Sequence, residues 1–141
     1  MTCYAESSAV LAWLLGEARG GLVAALLGGA DLVVTSELTL VEVDRALHRS
    51  VATGAMDASM AERLREQLGA TTTEWAIEPV SAAVVDRARR SFPHDAIRAL
   101  DAIHLASAVV IASSVGDLDV LSVDERVRMN AVALGLPVVP D

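Results

Sequence analysis

Lysine is missing from this chain. All eleven basic residues are arginine, and nineteen acids leave a formal net charge of −8. That balance argues against indiscriminate nucleic-acid binding, which needs a basic surface. It leaves room for a chemistry in which clustered carboxylates hold a divalent cation. Cysteine occurs once, at Cys3, which excludes an intramolecular disulfide and fits a reducing compartment. Cys3 lies in an apolar segment and reads as an inert core thiol. Aromatic residues are few (Tyr4, Trp13, Trp75 and Phe92), so a core must be built from Ala, Val, Leu and Ile. No uninterrupted apolar run approaches the ~18 residues of a membrane span. The longest candidate, residues 102–115, carries His104 and three serines. The N-terminus lacks a basic region, and Glu6 interrupts its first apolar run, so no secretory signal is read there. The expectation is a soluble, cytoplasmic protein with no membrane association.

What is present suffices for one core. With 141 residues, over half of them apolar, the expected organisation is a single domain over 1–141. Short β-branched runs alternate with helical patterns. Strands are expected at 2–5, 32–35, 73–77, 120–123 and 136–139. Between them, Ser7 or Ser8 caps a helix through Leu15, and a second helix runs from about Glu17 to Leu27 and closes at Gly28-Gly29. Ser36 caps a helix whose stripe is Leu40, Val43, Leu47 and Val51, ending at Gly54. Asp57 caps another through about Leu68. Residues 81–91, an apolar helix around Asp101, and 124–134 complete the set. Alternation of this kind implies an α/β fold with a central parallel sheet sandwiched by helices.

Asp101 is the only formally charged residue between Ala99 and Gly116, at the head of a segment apolar nearly all round. A carboxylate there is costly unless an arginine, a helix N-terminus or a metal ion pairs with it. Arg98 offers the plain salt-bridge alternative. In parallel sheets ligands gather at the carboxyl ends of the strands. That rule brings Glu6 and Asp124 to one edge, with Glu42 one helical turn beyond the second strand. Glu6, Glu42, Asp101 and Asp124 are therefore candidates for a single cleft. An all-oxygen set of this kind suits Mg²⁺ or Mn²⁺, which relieves like-charge repulsion and supports phosphate chemistry. With nineteen acids available, spacing alone leaves the purely structural reading open.

Four segments carry a family resemblance. Tyr4-Ala5-Glu6-Ser7-Ser8-Ala9-Val10 and Thr35-Ser36-Glu37-Leu38-Thr39-Leu40-Val41-Glu42-Val43 are two. Arg98-Ala99-Leu100-Asp101-Ala102-Ile103-His104-Leu105-Ala106-Ser107-Ala108 is the most specific. The fourth is Leu121-Ser122-Val123-Asp124-Glu125-Arg126, followed by residues 133–139. Together they resemble the PIN-domain ribonucleases, and among them the VapC-like toxins of type II toxin–antitoxin modules. The resemblance implies a PIN-like three-layer sandwich and a metal-dependent endoribonuclease using Mg²⁺ or Mn²⁺. It places the catalytic and metal-binding acids at Glu6, Glu42, Asp101 and Asp124, with Glu6 and Asp101 as principal ligands. Glu42 would serve a second ion or water, and Asp124 would complete the pocket. Ser7 or Ser8 and Ser122 fall where the family places small hydroxyls. The implied partners are an RNA substrate, a cognate antitoxin and a second copy in a homodimer. One position departs from the pattern: Glu6 stands where the family has Asp. The alternatives are the same fold with a weakened site, acting by binding or regulation, and a PIN-type nuclease acting on DNA structures.

The remaining polar residues have plainer readings. His104 reads as a hydrogen-bonded core or interface histidine, and His48 and His94 as surface residues. Glu37 and Glu125 are acids of a first helical turn, and Asp117 and Asp119 belong to a loop and a strand entry. Arg45, Arg49, Arg126 and Arg128 are either solvated or turned toward substrate phosphate. Trp13 and Trp75 read as packing or interface residues.

Overall fold

A computed structural model describes residues 1–141. The strands are β1 (Thr2–Ala5), β2 (Leu32–Ser36), β3 (Ala76–Glu78), β4 (Asp119–Leu121) and β5 (Val138–Val139). The helices are α1 (Ser7–Leu14), α2 (Gly20–Gly29), α3 (Glu37–Ala52), α4 (Ala58–Thr72), α5 (Ala82–Ala88), α6 (Ala99–Val115) and α7 (Glu125–Ala133). The strands form one parallel sheet in the order β3-β2-β1-β4-β5. The expected α/β architecture with a central parallel sheet is what the chain adopts. No helix is long and apolar enough to cross a membrane.

Alternation along the strands divides the core. Cys3, Ala5, Val33 and Leu121 point to one layer, where Val10, Leu14, Val23, Val43, Leu47 and Leu68 of α1–α4 meet them. Tyr4, Val34 and Val120 point to the other, against Leu105, Ala108, Ile111, Val127 and Ala131 of α6 and α7. Because successive strand side chains face opposite ways, a sheet covered on both faces requires apolar residues at both parities. The strand order reverses between β1 and β4, so their carboxyl ends open the crevice where such sheets bind ligands.

Several boundaries differ from the sequence reading, each for a local reason. Glu6, not Ser7 or Ser8, caps α1, accepting the Ser8 amide. The second helix starts at Gly20 rather than Glu17, because Gly16 turns the chain with φ +65° and Gly20 starts a new helix. Gly20 must be glycine for packing: a Cβ there would stand 2.3 Å from the Ala12 carbonyl oxygen. Gly28 and Gly29 stay helical, and the chain leaves α2 at Ala30, which is extended. Helix α4 runs past the expected Leu68 to Thr72, and Thr73, expected to open a strand, is its C-cap. Thr72 and Thr73 turn their hydroxyls back onto the Gly69 and Ala70 carbonyls at 3.3 and 2.7 Å, and β3 begins only at Ala76. Helix α5 closes at Ala88, three residues before the expected end, and β4 and β5 are shorter than read.

Candidate functional site

The first acid follows β1 directly. Glu6 is 3% exposed, and its own amide bonds the Leu121 carbonyl at 3.0 Å, which ties the exits of β1 and β4 together. Its Oε1 accepts the Ser7 hydroxyl at 2.9 Å and the Ser8 amide at 3.0 Å. Its Oε2 accepts Ser122 Oγ at 2.7 Å and a short bond from Ser8 Oγ. Ser8 Oγ in turn accepts the amides of Val123 and Asp124 at 3.0 and 3.2 Å. A buried carboxylate is tolerable when its lone pairs are taken in this way.

The second acid is held from another layer. Glu42, on α3, accepts Ser7 Oγ at 3.0 Å and His104 Nε2 at 2.5 Å, both on Oε1. Burial pushes the Glu42 carboxyl up, but the hydrogen bonds from His104 and Ser7 outweigh it and set the group below the usual glutamate range. His104 is 1% exposed, and its other nitrogen, Nδ1, lies 2.7 Å from the Tyr4 hydroxyl. Burial also drives the Tyr4 phenol well above its ordinary pKa, so it stays protonated.

Asp101 has no such company. It sits in the first turn of α6, and its Oδ2 is buried without a hydrogen-bond partner. Desolvation, then the neighbouring charge of Asp124, raise its pKa; the Arg98 amide and guanidinium oppose this, and Glu6 adds to it. The salt-bridge alternative with Arg98 does not form. Instead Arg98 lines a cavity of about 360 Å³ together with Glu42, Ala99, Leu100 and Asp101. Asp124 is the N-cap of α7, with Oδ1 accepting the amides of Arg126 and Val127 at 2.9 and 3.2 Å.

All four acids thus lie at the carboxyl edge of the sheet, in two arrangements. Glu6 and Glu42 share Ser7. Asp101 feels the charges of Asp124 and Glu6 across the crevice. No three carboxylate or imidazole groups close into a ready-made metal cage. The donor set nevertheless suits a hard cation: every acid offers oxygen, and the orphaned Asp101 oxygen has an unmet demand for positive charge.

Other candidates resolve plainly. Glu37 accepts the Val80 amide at 2.9 Å, so it ties α3 to the exit of β3. Arg128 donates to the Ser122 carbonyl at 2.8 Å, supporting the loop after β4. Trp13 and Trp75 pack against each other with centroids 6.4 Å apart. Sequence reasoning missed Tyr4. It stands on β1 two residues before Glu6 and faces the α6–α7 layer, and nothing in its neighbours signals the hydrogen bond to His104.

The sequence model of the PIN domain matches residues 3–133, and the chain belongs to that family. No curated protein matches the sequence. Solved structures share the fold. VapC20 of Mycobacterium tuberculosis, described as a toxin cleaving the sarcin–ricin loop, aligns with TM-score 0.68 at 19% identity, covering 99% of each chain. VapBC2 from Rickettsia felis, bound to a DNA fragment from its promoter, aligns with TM-score 0.62 at 10% identity, covering 99% of this chain and 98% of that one. A protein from Pyrobaculum aerophilum aligns with TM-score 0.60 at 16% identity, over 99% of this chain and 84% of its own.

Proposed function

We propose that this chain is a metal-dependent endoribonuclease, the toxin of a type II toxin–antitoxin module. The observation that carries the reading is the buried, unpartnered Asp101 Oδ2, on a cavity shared with Glu42 and close to the charges of Asp124 and Glu6. A divalent ion, Mg²⁺ or Mn²⁺, would supply Lewis acidity toward a phosphodiester and activate water at neutral pH. Asp101 would hold it through Oδ2. Glu42, which lines the same cavity, would offer Oε2, which carries no hydrogen bond of its own. Magnesium is commonly held by one or two carboxylates with waters completing its shell, so two acids on one cavity suffice without a three-acid cage. Asp124 and Glu6 would complete the negative field, and Arg98 would bind a substrate phosphate at the rim.

The proposed substrate is RNA, and the proposed compartment is the cytoplasm. An antitoxin would cover the acidic cavity with an arginine, whose planar guanidinium pairs with carboxylates. Exposed apolar side chains on α7, Met129 and Val132, offer surface for a homodimer. Titrating the purified protein with Mn²⁺ while following RNA cleavage tests the core of this reading. Saturable binding with parallel cleavage is the expected result.

One observation favours a second reading. Both oxygens of Glu6 are already occupied by hydroxyl and amide donors. A first acid committed in this way would leave a weakened site, and the chain would then act by binding. Neither Mn²⁺-dependent stabilisation nor cleavage in the purified protein is the outcome that selects it.

A further inference from the structure

We propose that Tyr4 and His104 form a positioning pair that fixes Glu42 on one wall of the site, with His104 held as its Nε2–H tautomer. The chain of contacts is continuous: Tyr4 Oη to His104 Nδ1 at 2.7 Å, then His104 Nε2 to Glu42 Oε1 at 2.5 Å. It joins β1, α6 and α3, which reach the site from the sheet and from both helical layers. Tyr4 and His104 are each 1% exposed. Their rings are tilted by 60° with centroids 6.0 Å apart, so the contact presents a hydroxyl to a ring nitrogen rather than stacking two faces.

The proton inventory sets the direction. A carboxylate only accepts, so the bond to Glu42 requires hydrogen on Nε2, and Ser7 Oγ, 3.1 Å from the same nitrogen, then stands beside it as an acceptor. A neutral ring then has a lone pair at Nδ1, which takes the Tyr4 O–H. Two serines flank the phenol. Ser107 Oγ donates to the Ile103 carbonyl at 2.7 Å, and Ser36 Oγ accepts the Leu38 amide at 3.1 Å.

Placement gives this chain its use. His104 follows Asp101 by three residues, so one face of α6 carries both the orphaned acid and the clamp on its opposite number. A free glutamate turns about three side-chain torsions. Here both donors engage Oε1, which leaves Oε2 for the cavity that Asp101 also lines. His104 and Tyr4 thus set where the second wall stands relative to the first. Hydrogen-bonded partners of this kind orient metal-ligating groups, and their loss typically costs about 10–100-fold in metal affinity.

The affinity arm of the test rests on the proposed metal site; the tautomer arm does not. Long-range ¹H–¹⁵N correlation on histidine-labelled protein reads the tautomer of His104 directly. His48 and His94, both exposed, supply the averaged reference. The parent should show Nε2–H alone; Glu42→Leu, which removes the acceptor at Nε2, should lose that uniqueness, and Tyr4→Phe, which keeps it, should retain Nε2–H while weakening Mn²⁺ binding about 10-fold. In Mn²⁺ calorimetry His104→Leu should weaken binding about 10–100-fold, and His104→Gln, which keeps an amide N–H within reach of Glu42, should recover most of it. An Nδ1–H tautomer in the parent, a single tautomer persisting in Glu42→Leu, or a His104→Leu or Tyr4→Phe variant that binds as tightly as the parent overturns the proposal. Should His104→Leu fail to fold, the His104 tautomer in Glu42→Leu decides the matter. A parent that binds no Mn²⁺ would refute the metal site, while the tautomer would still decide the positioning pair.

Discussion

The two halves of the site treat a buried carboxylate in opposite ways. On one side Glu6 has both oxygens saturated by Ser7, Ser8 and Ser122, while Glu42 is held through Oε1 alone by Ser7 and His104. On the other, Asp101 keeps an oxygen with no partner. The pKa directions follow: Glu42 is lowered by its donors against burial, and Asp101 is raised by burial and by its neighbours' charge. A saturated acid stabilises the fold and has little capacity left. An orphaned acid costs stability and retains an open valence for a ligand. The difference separates architecture from function within a single crevice.

The largest expected effect belongs to Asp101. Asp101→Asn should lower Mn²⁺ affinity and RNA cleavage by at least ~100-fold, and the metal-free melting temperature should hold or rise. Cleavage by the purified variant at the parent's rate would remove Asp101 from the mechanism.

Glu6 should fail in the reverse manner. Glu6→Ala removes the shared acceptor of three hydroxyls and the cap of α1, for a cost of about 3 kcal/mol in urea denaturation. Glu6→Asp keeps an acceptor but shortens the reach to Ser122, for a cost of about 1 kcal/mol. Mn²⁺ affinity of the folded variants then sharpens the contrast. A working ligand predicts loss in the alanine variant and an equal or tighter site in the aspartate one, whereas a purely architectural Glu6 predicts no change in either.

Asn130 extends the architectural side beyond the acids. It is fully buried, accepts the His94 amide at 2.9 Å, and donates to the carbonyls of His94 and Arg126 at 3.0 and 3.1 Å. It therefore ties α7 to the segment leading into α6 and Asp101. Asn130→Ala should cost about 2 kcal/mol and speed amide exchange at His94; native exchange there would show that the segment holds without it.

The pH dependence of metal-free stability should carry opposite signs from the two walls. Because its folded pKa is raised, Asp101 contributes fully below the ordinary aspartate range, and that contribution is lost as pH rises through the raised value. The advantage of Asp101→Asn over the parent should therefore grow across that window and then level. Glu42, lowered on folding, contributes above the ordinary glutamate range and loses that contribution as pH falls through its folded value. The parent's advantage over Glu42→Gln should shrink there. Denaturation curves from acid to neutral pH that show the same sign for both variants would contradict the assignment. The smallest effect belongs to the exposed Arg65–Asp44 pair between α4 and α3, at 3.1 Å. Arg65→Ala should leave the melting temperature indistinguishable from the parent, since exposed pairs are screened by water and salt.

Much of this was legible along the chain. Short apolar strands alternating with capped helices specify a parallel sheet, because only a sheet covered on both faces tolerates apolar residues at both parities. Parallel strands in turn place whatever follows β1 and β4 at one edge, which is why position alone points to Glu6 and Asp124. The limits were set by helix ends and by distant partners. Thr73 has a strand-forming side chain, yet its hydroxyl bonds the Ala70 carbonyl of α4 instead. Ser7 and Ser8 have the better capping chemistry, yet Glu6 caps α1 because its carboxylate is also held by Ser122, 116 residues away.

By itself, then, the sequence determined the layered fold and the acidic edge, since hydrophobic periodicity and turn residues act locally and repeat along the chain. Which acids are satisfied and which is left open was decided only in three dimensions. Ser7 divides between Glu6 and Glu42, His104 reaches Glu42 across 62 residues, and Tyr4 reaches His104 across 100. A hydrogen bond depends on a few tenths of an ångström and on direction, and no pattern of residue types encodes that until the layers have packed.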